Sequence, residues 1–403
     1  MIIGIDASRA NREFKTGTEW YSFYLIKELV KIDSSNQYVL YSDRPLTAAL
    51  AKIVSRHDNV KAKILNWPLG YLWTQVRLSW EMLFHAPDVL FIPAHTLPYI
   101  HPRKSVVTIH DVGFKRVKEL YSSDKIGPSG GTSSKVLDIL VKLFAGGESS
   151  ARVLDYHGWS TKFALKYAEK IIAVSGFTKK ELINYYSAPE DKITVVCNGF
   201  NDALYQPIAD SVEIKQVLNK YGIESPYIFY VGRLDKKKNI AGLVNAFAAI
   251  KEKYKNFNYK LVLVGNAGLD FDEIKYVIED FDLDDEVIIT GWVPEEDMPY
   301  VYSGASLFVF PSFYEGFGIP LLQAMAMGVP IAASDIGAIV EVTAGAARLF
   351  NPSDKDDMAE KIVEVLLDDK LAKDLIKRGR IRVKDFSLNR CARETLAVIE
   401  NIN

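Results

Sequence analysis

Two doubly wound α/β domains in tandem are predicted for this chain, on three observations. Short apolar runs alternate with helix-length amphipathic segments along almost its whole length, the pattern of a parallel sheet with crossover helices. At 403 residues the chain is too long for one ordinary core, and with 48% apolar residues each half can bury its own. The alternation pauses over 201–211 around Pro207, where a connector fits.

In the first half the predicted strands are 2–6, 38–41, 89–92, 105–109, 170–174 and 193–197. Each is a short run of β-branched, aromatic and other apolar residues, such as V-L-F-I at 89–92. Between them, apolar residues three and four apart predict helices over 18–32, 75–84, 161–169 and 178–186. A second series of strands, 227–231, 260–264, 287–290, 307–310 and 330–333, carries helices at 239–254, 319–327 and 356–367. A last helix, 389–402, could pack on either domain. The resulting division is a first domain over 1–200, a second over 201–385 and the terminal helix in 386–403. In such sheets ligands bind beyond the carboxyl ends of the strands, and two domains facing one another would form a cleft there.

One segment breaks the rhythm. Around 122–151, Gly/Ser-rich stretches flank K-V-L-D-I-L-V-K-L-F (135–144), a short amphipathic helix with Lys135, Asp138 and Lys142 on one face. A flap on its own domain, a membrane or partner contact and an artificial insertion all fit it.

Charge is balanced, with 49 basic against 51 acidic residues, so no global field argues for nucleic acid. The N-terminal M-I-I-G-I-D reads as a buried strand rather than a signal peptide, and no apolar stretch is long enough to span a bilayer. A soluble, cytoplasmic protein is expected. Cys197 and Cys391 make no metal-ligand spacing, which favours two reduced thiols over a disulfide.

The strongest local motif is F-P-S-F-Y-E-G-F-G-I-P at 310–320. A strand ends at Phe310, a loop presents Glu315, Gly316, Phe317 and Gly318, and a helix starts with Pro320 in its first turn. Glycine loops before a helix N-terminus aim backbone N–H groups at an anion. A carboxylate beside a phosphate is electrostatically awkward, so Glu315 is expected to accept hydrogen bonds from sugar hydroxyls. Gln323 lies about one turn into the helix. The second motif is G-R-L-D-K-K-K-N at 232–239, where Arg233 and Lys238 follow a strand and suit a diphosphate, while Lys236 and Lys237 read as solvated. In the first half, His110-Asp111 ends the 105–109 strand, as either a packed histidine or a cleft residue. Gly17 opens the first long helix, permitting close backbone approach, and Thr18 is a candidate N-cap. Aromatic residues concentrate at Trp67, Tyr71, Trp73 and Trp80, which fit a core, a sugar contact or a membrane interface.

Taken together, V-G-R-L-D-K-K-K-N, A-V-S-G-F-T-K-K-E-L, C-N-G-F, G-W-V-P-E-E-D-M-P and P-S-F-Y-E-G-F-G-I-P-L-L-Q-A-M-A-M-G resemble the retaining glycosyltransferases of family 4, across nearly the whole chain except 122–151. The resemblance implies the GT-B fold of two Rossmann-like domains facing across a cleft, the first serving the acceptor and the second a nucleotide-sugar donor. It implies transfer of a hexose-type sugar with retention, without cofactor or metal, because Arg233 and Lys238 replace the metal at the donor diphosphate. Glu315 matches the first glutamate of an E-x7-E motif, and the backbone of Gly316, Phe317 and Gly318 would approach sugar and phosphate. Trp292 and Val293 match the position beside the nucleotide base. His110 would lie near the transferred sugar and Gly17 near the diphosphate. The second glutamate is Gln323 here; it keeps an acceptor oxygen for the ribose but loses the charge.

The implied partners are a nucleotide-sugar donor and a glycan or lipid-linked acceptor, with peripheral contact at the inner membrane face left open. Nothing in the chain specifies donor base, sugar or oligomeric state. Two rivals share the architecture: a nucleotide-sugar epimerase, which needs no acceptor, and a non-catalytic protein that binds a nucleotide sugar or glycan, to which Gln323 lends weight.

Overall fold

The computed structural model describes residues 1–68, 72–121, 153–268 and 270–402. The expected helix at 135–144 and the aromatic Tyr71 lie outside the described residues. The chain divides into two units, Met1–Gly199 with Leu388–Asn403, and Phe200–Ser387.

The first unit is built on a seven-stranded sheet of β1 (Ile2–Asp6), β2 (Gln37–Ser42), β3 (Val60–Ile64), β4 (Val89–Ile92), β5 (Ser105–Ile109), β6 (Lys170–Ala173) and β7 (Ile193–Val195). All pairings are parallel, in the order β3-β2-β1-β4-β5-β6-β7. The apolar runs occupy the middle of the sheet, where Ile3, Ile5, Phe91, Val106 and Ile172 are fully buried. β3 was not anticipated. Its sequence V-K-A-K-I alternates with lysines and it lies at the sheet edge, where charged side chains block further strand pairing.

The helix Gly17–Ile32 begins one residue earlier than expected, and its N-cap is Thr16 rather than Thr18. The Glu19 carboxylate accepts from the Thr16 N–H at 3.3 Å and from its hydroxyl, and the Thr16 side chain faces the Glu19 N–H in return, which makes a capping box. The expected 75–84 helix is two pieces, a π-helical Trp73–Leu78 and an α-helical Ser79–His85. Trp73 is buried and donates from Nε1 to the Leu65 carbonyl at 3.0 Å, whereas Trp80 stays 62% exposed.

The terminal helix Leu388–Glu400 packs on Gly17–Ile32 in the first unit. Cys391, Ala392, Ile399 and Ile402 join the core built by Leu25, Leu29 and Tyr38. Each fully buried isoleucine contributes about 1.5–3 kcal/mol, enough to anchor a helix of thirteen residues. Hydrogen bonds from Asn36 to Glu400 (3.0 Å) and from Asn389 to Glu28 (3.2 Å) set its position. Neither cysteine forms a disulfide, and burial pushes the Cys391 thiol up to about 12.

The second unit carries β8 (Tyr227–Val231), β9 (Lys260–Val264), β10 (Val287–Gly291), β11 (Leu307–Phe310), β12 (Ile331–Ser334) and β13 (Arg348–Phe350), ordered β10-β9-β8-β11-β12-β13 and all parallel. This is the doubly wound order, with its topological switch between β8 and β11. β13 and the helix Asp369–Arg382 were not anticipated; the strand has three residues, and the helix is strongly charged, so neither offers a long apolar signal. Among the described residues, no helix is long and apolar enough to cross a membrane.

Candidate active site

The switch point of the second sheet is where the motifs converge. After β8 the chain passes Gly232, whose carbonyl lies so close to Gly265, just beyond β9, that a Cβ there would sit 1.8 Å from it. Gly265 has φ +143°, so glycine is required both for space and for conformation. The close approach lets the two loops run together: Leu234 N–H donates to the Asn266 carbonyl (3.1 Å), and Gly268 N–H to that of Leu234 (2.9 Å). Asp235 then caps a single 3-10 turn, Lys236–Lys238, accepting from the Lys238 N–H at 3.1 Å. Asn239 follows with φ +56° and donates from its side chain to the Pro352 carbonyl at 2.7 Å.

That turn places the Lys238 ammonium on the Glu315 carboxylate at 2.5 Å. Glu315 stands in the loop after β11 and also accepts from the Ser312 hydroxyl at 2.8 Å. The two loops are stitched by a backbone bond from Phe313 N–H to the Lys237 carbonyl, 3.0 Å. Residues 77 positions apart in sequence are thus joined at one sheet edge. The Arg233 side chain is 63% exposed, with Nε 3.9 Å from Asp235. A solvent-facing guanidinium beside an ammonium held by Glu315 suits an anion arriving from solvent.

Gly316 and Phe317 are buried, and Gly318, φ +105°, leads into the helix Ile319–Met327 with Pro320 in its first turn. Phe317 packs edge to face on Phe386 at 5.7 Å. The Gln323 amide oxygen accepts from the Tyr302 hydroxyl at 3.1 Å, an engagement the sequence did not disclose. Trp292 and Val293 follow β10, two strands from β8; Trp292 is 38% exposed and Val293 is buried. Ser312 and Tyr302 were not singled out: a serine three residues before the glutamate was a local signal, but Tyr302 reaches Gln323 only through the packing of its helix, Met298–Gly304.

In the first unit His110 lies at the carboxyl end of β5. Its Nε2 donates to the Pro93 carbonyl at 2.8 Å, Tyr21 meets its ring edge-on at 4.7 Å, and burial lowers its pKa. A neutral ring with Nε2 as donor leaves Nδ1 as the acceptor. Gly17 has open space where a Cβ would be, so no packing demands glycine there. His95, at the end of β4, was not anticipated. Its ring centroid is 5.6 Å from that of His110 and 6.0 Å from that of His157, and burial lowers its pKa to about 3. Among the described residues, no group of three or more His, Cys, Asp or Glu is placed to hold a metal ion.

Comparison with known proteins agrees with this architecture. The chain matches the family models Glycosyltransferase Family 4 over residues 16–204 and Glycosyl transferases group 1 over 213–382. It is 27% identical over 394 residues to the O-antigen chain mannosyltransferase B of Escherichia coli, covering 94% of this chain and 95% of that protein. Its fold is similar to sucrose-phosphate synthase from Thermosynechococcus elongatus (TM-score 0.73, 18% identity, 99% and 98% of the two chains). It is similar also to Anabaena HepE solved with UDP and glucose (TM-score 0.68, 17% identity, 99% of each chain). With both halves matched and two parallel doubly wound sheets in place, the chain belongs to the family 4 glycosyltransferases of GT-B fold.

Proposed function

We propose that this glycosyltransferase moves a hexose, with mannose the first candidate, from a nucleoside-diphosphate sugar to a glycan or lipid-linked acceptor, with retention and without a metal. The observation that carries this reading is the Lys238–Glu315 pair, set beside Arg233 and the Gly316–Gly318 loop at the switch point of the second sheet. Lys238 and Arg233 take the diphosphate, Glu315 the donor sugar hydroxyls, and the backbone of Gly316, Phe317 and Gly318 the sugar and phosphate. Trp292 and Val293 flank the base. Gln323 meets the ribose through its amide group, while Tyr302 holds its oxygen. His110 and Gly17 serve the transferred sugar and the diphosphate from the first unit.

In the reaction, the bond from the anomeric carbon to the diphosphate oxygen breaks, and the acceptor hydroxyl oxygen bonds that carbon on the same face. The acceptor proton passes to the departing diphosphate. Negative charge grows on that group, so two preorganised cations stabilise the transition state more than the ground state. Mannose is favoured by the similarity to the Escherichia coli mannosyltransferase and a nucleotide donor by the UDP complex of the Anabaena protein. The exposed Trp80, Leu83 and Phe84, with the Trp80 and Phe84 rings 5.3 Å apart, support contact with a membrane face.

The test is thermal stabilisation by UDP-, GDP- and ADP-sugars, followed by transfer with chelator present and NMR of the product's anomeric configuration. Stabilisation by one nucleotide series and a retained configuration are expected. No stabilisation by any series, or an inverted product, overturns the reading.

A further inference from the structure

The helix Asp369–Arg382 and the turn Val383–Asp385 that continues it carry an unusual distribution of cations. Arg378 is paired with Asp374, and Arg382 with Asp385 and with the carbonyls of Glu341 and Val342. Lys373, Lys377, Arg380 and Lys384 have no ion pair among the described residues. Their spacing, i, i+4, i+7 and i+11, lays them along one helix face over about 16 Å. A face of like charges at this spacing opposes its own helix, so the sequence keeps it at a cost in local stability.

The stripe borders a groove of about 910 Å³ in the second unit. Its other surfaces are largely apolar: Tyr205 and Phe386 are buried behind it, while Pro207 and Ile376 keep part of their surface open and Ile381 is 62% exposed. Asp202 is the one carboxylate on the lining. Arg380 lies across Gly328, with Nη2 2.7 Å from the place a Cβ would take, so packing rather than an ion pair orients its guanidinium. None of these residues belongs to the donor loops, although Phe386 also meets Phe317, so groove and glycine loop share an aromatic wall.

A small inorganic anion would satisfy the stripe and leave the apolar wall wet; a neutral apolar ligand would leave the cations unmatched. We propose that the groove is a second binding site, for an amphiphile with a phosphate head on a hydrocarbon chain. The head lies along Lys377, Arg380 and Lys384, where arginine provides a fork matched to phosphate oxygens. The chain lies against Ile376, Ile381 and Pro207.

Calorimetric titration of the full chain with farnesyl phosphate, and separately with inorganic phosphate, tests this. The comparison protein carries Lys377→Ala, Arg380→Ala and Lys384→Ala, all outside the donor loops, with its melting temperature checked. Because Arg233 and Lys238 are unchanged in both proteins, any phosphate they bind cancels. Farnesyl phosphate should bind the wild type at least about tenfold more tightly than inorganic phosphate, and lose about thirtyfold or more in the triple variant. Ile376→Ser should weaken farnesyl phosphate and leave inorganic phosphate unchanged. Co-sedimentation with vesicles of phosphatidylcholine alone or mixed with phosphatidylglycerol separates the sources of the head group. Binding to the mixed vesicles that the triple variant loses assigns the site to a bilayer lipid; binding of dispersed farnesyl phosphate alone assigns it to a free phosphate amphiphile. Equal affinity in wild type and triple variant, or no preference for farnesyl phosphate, overturns the proposal. Donor-sugar stabilisation is a separate measurement and stands or falls independently.

Discussion

Replacing Lys238 with methionine keeps most of the unbranched side chain and removes its charge. In the folded protein Lys238 lies 2.5 Å from Glu315, with the side chains 19% and 12% exposed. An exposed pair contributes about 0.2–1 kcal/mol, and breaking a buried one costs about 3–5 kcal/mol. At this intermediate burial, with Ser312 still donating to Glu315, a loss of about 1–2 kcal/mol is expected. For a unit of this size that lowers the melting temperature by roughly 2–8 °C. Turnover should fall much further. Removing a preorganised charge from a developing anion costs on the order of 10²–10³ in kcat, or about 3–4 kcal/mol. The assay is kcat at saturating donor, with stability measured by denaturant on the same sample. Adding Glu315→Gln to Lys238→Met removes the orphaned carboxylate, so the double variant should regain most of the stability and none of the turnover. An unchanged kcat at saturating donor, or a loss that tracks the unfolded fraction, refutes the role given to Lys238.

Three further outcomes are expected. Gln323→Glu keeps an oxygen for Tyr302 and restores a charge, so donor dissociation constants should fall by about fivefold to tenfold; an unchanged constant counts against a ribose contact. Gly265→Ala forces a Cβ to within 1.8 Å of the Gly232 carbonyl at φ +143°, and should destabilise the second unit by about 3 kcal/mol or more; near-wild-type denaturation would contradict the loop packing. Burial opposes the charge of Asp33, but hydrogen bonds from Tyr38, Ser35 and Asn36 outweigh it and hold the carboxyl at about 2, below its ordinary 3.8. Its charged form therefore contributes about 2 kcal/mol in full above the ordinary value, lost as pH falls through the folded one. The stability gap between wild type and Asp33→Asn should narrow between about pH 4 and 2; a pH-independent gap would refute the assignment.

Most central strands were legible because both their faces are buried, which demands continuous apolar runs such as L-F-V-F at 307–310. The elements that escaped are those whose stability is not written locally. β3 alternates with lysine at an edge, and Arg348–Phe350 is too short to signal. The helix Asp369–Arg382 is recognisable by the residues it packs against rather than by its own hydrophobicity. Thr16 displaced Thr18 as the cap because Glu19 sits three residues after it, a signal present in the sequence and passed over.

For the candidate site the division is sharper. Residue types and spacing alone supplied Arg233, Lys238, Glu315 and the glycines of 316–318, since cations after a strand and a glycine loop before a helix are local features, while the departure at Gln323 came from the resemblance to family 4. Only the tertiary structure decided that Lys238 meets Glu315, that Tyr302 holds Gln323, and that the terminal helix belongs to the first unit. The physical reason is that strand order is set by sheet packing. β8 and β11 are neighbours in space because the chain reverses direction across the sheet, and no local run of residues encodes which strands will be adjacent.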